Sequence, residues 1–516
     1  MRRLRGLHTS PRALPGEVPA AFASVDPAQW TEAARSAREE GHRLVALWGA
    51  DHRGRRHGFT AYAAYALDSG LCVLALPMPA ADPSYPDLSG LFPAANRMQR
   101  AAFDLLGIVA EGAADTRPWL RHGAWSEREY PLRHDFDASA YRQNAPDRYP
   151  FVRVEGDGVH EIPVGPIHAG IIEPGHFRFS VVGEKVLRLE ARLGYTHKGI
   201  EKRFEDFSVE EGYRLAGRVS GDSTVAHAWA YCQAAEAIAG VAVPSRAKWL
   251  RALLLERERV ANHLGDLGAL GNDAGFGFAL AQFMRLKEDW VRLNAELFGH
   301  RFARDCIVPG GVAFDIDGAQ VEDLVRQAHA VHGEVRALRD IFDEHSGMQD
   351  RFITTGRVTP QLARDLGLAG LAGRASGQPA DLRVDHPVEP YAGLAVKRVT
   401  HAAGDVAARV KVRFEEIDES LRLVEAIATG LPPGDRLLSL PTPAPGAFGI
   451  GWIEGWRGES FVALEAGEGG AIARCHVHDP SWQNWPLIEH AIMGNIVPDF
   501  PLINKSFNLS YSGCDA

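Results

Sequence analysis

The stretch GRVSGDSTVAHAWAYCQAAEA, residues 217–237, sets two serines, Ser220 and Ser223, three apart at the opening of a helix that starts near Asp222. Ser220, Asp222, Ser223 and Thr224 carry short side-chain oxygens of the kind that accept the unpaired amide hydrogens of a first helical turn. On composition alone they read as caps. The same spacing is also that of a C-x-x-C ligand pair written in oxygen instead of sulfur.

Working outward, the 516 residues allow two or three domains, and two is the working count. Hydrophobic residues at 46% and charged residues at 24% are ordinary for a packed globular chain. With a net charge of −10 and basic residues scattered among acids, no electrostatic footprint for nucleic acid is present. Cys72, Cys232, Cys306, Cys475 and Cys514 lie far apart with no C-x-x-C, which argues against a disulfide framework and against an in-chain iron–sulfur or zinc site, and points to a reducing cytosol. The longest apolar run, LCVLALPMPAA at 71–81, is short and broken by prolines, so no segment is expected to span a bilayer. The opening MRRLRGLHTSPR lacks the apolar core of a targeting signal and reads as a flexible tail.

Residues 30–85 mix a helical run, WTEAARSAREEGHRL, with strand-like LVALWG and GLCVLALPM, and a short helix is expected at 95–107. The polar, proline-rich stretch 121–151 reads as a connection. Long helical periodicities follow. Phe283, Leu286, Trp290, Leu293 and Leu297 form one apolar stripe, and Val321, Leu324, Ala328, Val331, Val335, Leu338 and Phe342 another. Further helices are expected from Ser245 as N-cap, from 400 to Gly430, and over 486–493. Such stripes bury on one another, which predicts a bundle. Strand-like segments flank it at 160–186, turning at Pro174-Gly175, and at 449–479, turning near Arg457-Gly458 and Gly469-Gly470. The fold class is α+β: a flexible tail over 1–25, a small α/β domain over 26–140, a linker over 141–158, and a mainly helical bundle with flanking β-hairpins over 159–516.

A second constellation lies in HDPSWQNWPLIEHAIMGNIVPDFPLINKSFNLSYSGCDA, residues 478–516, where Asp479-Pro480-Ser481 reads as a turn into a helix. Together, GRVSGDS and DPSWQN resemble the large subunit of group 4 nickel–iron hydrogenases and the related D subunit of complex I. That family has R-x-C-G-x-C near a helix start and D-P-C-x-x-C near the C-terminus. NRMQRAAFDLLGI and YPLRHDF, at 96–108 and 130–136, are similar to the C subunit of complex I, although Met98, Gln99 and Arg100 depart from its acidic–basic–acidic triplet. GPIHAGIIEPGHFRF, LGYTHKGIEK and GDVAARVKVRFEE extend the resemblance over nearly the whole chain.

In that family four thiolates hold nickel and iron; here the corresponding positions are Ser220, Ser223, Ser481 and Asn484. Hydroxyls and an amide are poor ligands for such a soft centre, so no nickel–iron site is expected and no hydrogen chemistry. The resemblance implies a fused C/D-type subunit of a hydrogenase-4-like or formate hydrogenlyase-like complex related to complex I. It would take electrons from an iron–sulfur cluster in a small partner subunit and sit peripherally on the cytoplasmic membrane beside antiporter-like subunits. With no G-x-G-x-x-G after an expected strand, any nicotinamide would bind elsewhere in the complex.

The vacated cleft of complex I admits quinone, and His168, with His176 in the same strand–loop–strand, corresponds to the histidine presented to its head group. Glu173 in that loop is either a proton relay or a solvated acid. Complex I usually adds a tyrosine near the helix start, and Ser220-Gly221-Asp222 offers none. Asp222, His227, Asp479 and Ser481 are expected to form a polar cavity held by Arg218 or Arg409, with His227 alternatively a satisfied core histidine. KSFNLSYSG at 505–513 is expected to close over this region, as hydrogenase C-termini do. Two rival classes stay open: a working nickel–iron hydrogenase and a non-redox scaffold.

Overall fold

The computed structural model describes residues 4–7, 10–54, 58–140, 142, 145 and 148–516. Near the N-terminus, strands Arg12–Ala13, Ala20–Ser24, Gly70–Met78, Phe59–Leu67 and Arg43–Asp51 lie side by side in that order. Ala20–Ser24 runs parallel to Gly70–Met78, and the pairings of Phe59–Leu67 with both of its neighbours are antiparallel. The three long strands are apolar at nearly every position, which is what a sheet covered on both faces requires. One face, through Leu47, Ala63, Tyr65 and Leu74, packs on helices Pro27–Glu39 and Ala95–Leu106. The other, through Trp48, Tyr62, Ala64 and Val73, meets Ile450, Trp452 and Phe461 of a C-terminal hairpin. The sheet is thus a middle layer whose core is completed by residues some four hundred positions later in the chain.

The larger part is built on helices Thr224–Ala239, Ser245–Asp273, Gly277–Phe298, Gly318–Glu344 and Val406–Thr429. Both expected stripes face the core: Phe283, Leu286, Trp290 and Leu297 are buried, as are Leu324, Ala328, Val331, Val335, Leu338 and Phe342. Two antiparallel three-stranded sheets flank the helices. One comprises Val159–Val164, His176–Val182 and Lys185–Arg192; the other comprises Phe448–Glu454, Glu459–Ala466 and Ile472–His478.

Several local expectations are corrected. Ser245 is the first helical residue, not the cap; Pro244 precedes it and the Ser245 hydroxyl donates to Glu389. The helix expected from 400 begins at Val406, where the Asp405 carboxylate accepts from the Ala408 amide at 2.8 Å. The helix expected over 486–493 spans Ser481–Ala491 with Pro486 inside it. Pro486, the sixth residue of this helix, has no amide to donate to the Trp482 carbonyl, and the helix start is held by the Asp479 carboxylate, which accepts from the Ser481 amide at 2.8 Å.

Candidate functional site

Helix Thr224–Ala239 is preceded by Ser223 with no side-chain cap. Its first amides are taken instead by a neighbouring helix: the Glu258 carboxylate accepts from Val225 N at 2.7 Å and Ala226 N at 3.3 Å. The capping role read into Ser220, Asp222, Ser223 and Thr224 therefore passes to a residue 33 positions away, and the serines are free for other partners. Burial pushes the Glu258 carboxyl up to about 8, in spite of those two amides.

Ser220 Oγ donates to Asp222 Oδ1 at 2.9 Å and lies 2.8 Å from Ser510 Oγ. From the other side, Ser481 Oγ accepts from Ser510 N at 2.9 Å. Ser223 Oγ accepts from Arg457 Nη1 at 3.1 Å. Asn484 closes on the backbone of Ala369, accepting from its amide at 3.0 Å and donating to its carbonyl at 3.1 Å. All four residues are buried. Three of the four positions thus converge on Ser510 and Arg457, and Asn484 turns to Ala369.

Asp222 is gripped by both terminal nitrogens of Arg457, with Asp222 Oδ1 2.7 Å from Nη1. Burial disfavours its charge, but the guanidinium overrides that and holds the carboxyl below its ordinary value. His227 Nε2 lies 3.1 Å from Asp479 Oδ2. Burial again opposes ionisation of Asp479, and His227 and Arg457 outweigh it, lowering that carboxyl well below the usual range. Neither arginine expected to hold the cluster does so. Arg218 forms a bidentate pair with Asp305 at the surface, and Arg409 donates to Ser506 Oγ and to the Gly404 and Gly356 carbonyls. Arg457 sits in a hairpin turn singled out only as a turn, and nothing in the local pattern marks it as the partner of Asp222.

The segment Asn508–Gly513 lies over this cluster. Trp485 Nε1 donates to the Ser510 carbonyl at 3.0 Å, Gly513 N donates to Ser510 Oγ at 2.9 Å, and Asn508 O accepts from Arg457 Nε at 2.5 Å. A Cβ at Gly513 would come within 2.7 Å of Asp479 Cγ, so only glycine allows this approach.

The loop 165–175 carries the remaining candidates. His168 Nδ1 is 3.2 Å from the Pro166 carbonyl, which makes that nitrogen the N–H and leaves Nε2 to accept from Tyr511 OH at 3.4 Å. Tyr511 is buried, and its hydroxyl also accepts from Asn504 Nδ2 at 3.2 Å. No tyrosine stands at the helix start beside His168; the tyrosine in contact with it comes from the C-terminal segment. Glu173 Oε2 accepts from Ser512 N at 3.0 Å. His176 is turned elsewhere: its Nδ1 lies 3.4 Å from the Gly165 carbonyl, its ring packs on Phe151, and burial lowers its pKa. Ile167 and Ile171, at 85% and 99% exposure, leave the loop's outer edge apolar.

Among the described residues, no group of three or more His, Cys, Asp and Glu side chains is placed to hold a metal, and no helix is long and apolar enough to cross a membrane. A nickel–iron centre does not fit the residues present: the four positions offer hydroxyl and amide groups, and each is engaged in hydrogen bonds within the chain.

Residues 273–445 match the model of the respiratory-chain NADH dehydrogenase 49 Kd subunit, and residues 23–142 that of the 30 Kd subunit. Formate hydrogenlyase subunit 5 of Escherichia coli is 32% identical over 490 residues, covering 92% of this chain and 85% of that protein. Hydrogenase-4 component G of the same organism is 31% identical over 482 residues, covering 92% and 83%. A subunit of the membrane-bound sulfane sulfur reductase, an archaeal respiratory membrane complex, superposes with a TM-score of 0.66 at 24% identity over 70% of this chain and 99% of that one, a likeness of fold.

Proposed function

The chain belongs to the family that joins the 49 Kd and 30 Kd subunits of respiratory-chain NADH dehydrogenase with the formate hydrogenlyase and hydrogenase-4 proteins, and from that premise we propose that it is an oxidoreductase subunit whose acceptor is met by His168 and Tyr511 instead of a metal centre. Electrons come one at a time from an iron–sulfur cluster in a small partner subunit. The acceptor is a quinone: two electrons and two protons convert its two carbonyls to hydroxyls. Proton uptake is coupled to antiporter-like membrane subunits.

The observation that carries this reading is the Tyr511–His168 contact at 3.4 Å. The tyrosine O–H that donates to His168 Nε2 is the donor an acceptor carbonyl would take over, and the Nε2 so released can take up a proton and pass it on, the pairing that quinone reduction needs. Exposed Ile167 and Ile171 supply an apolar edge for the ring. Glu173, exposed and tied to Ser512, stands at the solvent side as the group that resupplies protons. Asp222, His227 and Asp479 form the polar floor beneath, where Ser220, Ser223, Ser481 and Asn484 keep the former ligand positions closed.

The test is competition by a quinone analogue in the intact complex. His168→Ala and Tyr511→Phe should each weaken analogue binding by about tenfold or more, the loss of one good hydrogen bond. If both variants bind as the wild type does, the reading fails. The scaffold reading has one observation in its favour, the closed hydrogen bonding of the four former ligand positions, and it is what unchanged binding would support. Nickel near one equivalent in the purified complex would instead revive the hydrogenase reading.

A further inference from the structure

A cavity of about 30 Å³ lies between the N-terminal sheet and strand Ile472–His478, away from the Ser510 cluster. Its walls are mostly apolar, Leu47, Leu105 and Leu120 among them; the ion pair of Glu201 with Arg474 and the imidazoles of His476 and His478 supply the polar part. Two residues apart on one strand, these rings lie on the same side of the sheet. Each has one ring nitrogen, His476 Nε2 and His478 Nδ1, that is buried and has no hydrogen-bond partner among the described residues.

The opposite nitrogens are both spoken for, and their partners settle the tautomers. His476 Nδ1 abuts Glu201, a carboxylate kept ionised by Arg474 at 2.8 Å, so Nδ1 carries the hydrogen. The Gln483 amide nitrogen donates to the Val45 carbonyl, which turns its oxygen toward His478 Nε2 at 3.0 Å, so there Nε2 carries the hydrogen. Both unpartnered nitrogens are therefore bare lone pairs. An imidazole that donates one N–H to a carboxylate or amide oxygen and leaves the other nitrogen free is the arrangement of a metal-ligating histidine. Met98, whose thioether is a soft donor, lines the same cavity.

We propose that His476, His478 and Met98 form a binding site for one soft cation, Cu(I), that ties the N-terminal helix Ala95–Leu106 to the C-terminal strand. The ring centroids of the two histidines are 6.0 Å apart. With metal–nitrogen bonds of about 2.0 Å, two imidazoles on one ion reach at most roughly 6.3 Å between centroids. The spacing calls for a wide nitrogen–metal–nitrogen angle, which suits two- or three-coordinate Cu(I) and not tetrahedral zinc, whose rings would sit about 5 Å apart. The rings are held: His476 stacks on Trp48 at 5.1 Å and His478 on Trp482 at 6.1 Å. The one carboxylate in the lining, Glu201, has its two oxygens engaged by Arg474 and His476, which leaves the bare imidazole nitrogens and the thioether as donors, a set suited to a soft monovalent ion and not to calcium, magnesium or manganese. The site is independent of the quinone reading.

The test uses the purified full-length chain, loaded anaerobically with Cu(I) and titrated against bicinchoninate. One equivalent should be withheld from the chelator, and X-ray absorption should show two nitrogen neighbours and one sulfur. His476→Phe and His478→Phe should weaken retention by about 100-fold, and Glu201→Gln, which loosens His476 and also releases Arg474, by about tenfold. Met98→Leu conserves volume and keeps the test valid if a histidine variant fails to fold; it should remove the sulfur neighbour and weaken retention. The proposal is overturned if the wild type withholds no copper, if Met98→Leu leaves affinity and spectrum unchanged, if copper is lost with Cys475→Ser instead of the histidines, or if a crystal grown with Cu(I) shows water between the rings.

Discussion

Ser510 Oγ lies 2.8 Å from Ser220 Oγ while the Ser510 amide donates to Ser481 Oγ at 2.9 Å, so one residue of the C-terminal segment joins two serines 261 positions apart in the chain. The carboxylates nearby are each partnered, Asp222 by Arg457 and Asp479 by His227 Nε2 and the Ser481 amide.

Replacing Ser510 by alanine removes only the hydroxyl; it leaves Gly513 N without its partner and Ser220 Oγ with Asp222 alone. Buried groups stripped of a hydrogen bond cost about 1–3 kcal/mol each. Urea unfolding should show a loss in that range, with faster amide exchange over 508–513.

Arg457→Lys should not rescue Asp222. Two guanidinium nitrogens reach the carboxylate and a third bonds Asn508 O, a fork that a lysine ammonium cannot copy. Because the Asp222 side chain is 40% exposed, the expected cost is about 2 kcal/mol, below that of a fully buried pair. Thermal unfolding of Arg457→Lys and Arg457→Ala checks it; stability near wild type for the lysine variant would contradict the fork.

Gly513→Ala drives a methyl to within 2.7 Å of Asp479 Cγ, and the carboxylate is held by His227 and by the Ser481 amide. Overpacking of that kind costs about 1–3 kcal/mol. Limited proteolysis should then cut the C-terminal segment that the wild type protects.

Glu258 links stability to pH. Its folded pKa, raised to about 8, exceeds the unfolded value near 4.3, so the folded state holds its proton over that window and loses stability as pH rises through it. Glu258→Gln removes the titration. The difference in Tm, variant minus wild type, should be smallest near pH 4, grow in the variant's favour from about pH 5 to 8, and level off above. Asp479 acts with the opposite sign: its carboxyl is depressed, so its contribution is present above the unfolded value near 3.9 and lost as pH falls through its folded pKa. A Tm difference for Glu258→Gln that does not change with pH would show that Glu258 is ionised in the folded protein throughout.

What the sequence determined by itself is what repeats locally. The stripes Phe283 to Leu297 and Leu324 to Phe342 fixed two long helices and the face each buries, because a 3.6-residue period of apolar side chains has one favourable packing. The hairpin turns at Arg457-Gly458 and Gly469-Gly470 and the α+β layering were legible for the same reason. That the side chains at 220, 223, 481 and 484 are hydroxyls and an amide, poor ligands for nickel and iron, was legible too, since ligand chemistry belongs to the side chain and not to its setting. Tertiary structure alone decided which groups meet. Glu258 instead of the local serines serves the helix start, Arg457 instead of Arg218 or Arg409 holds Asp222, and Tyr511 reaches His168 across 343 positions. Hydrogen bonds and ion pairs at such separations leave no periodic trace in the chain, because they depend on where elements end up in space and not on the spacing within any one of them.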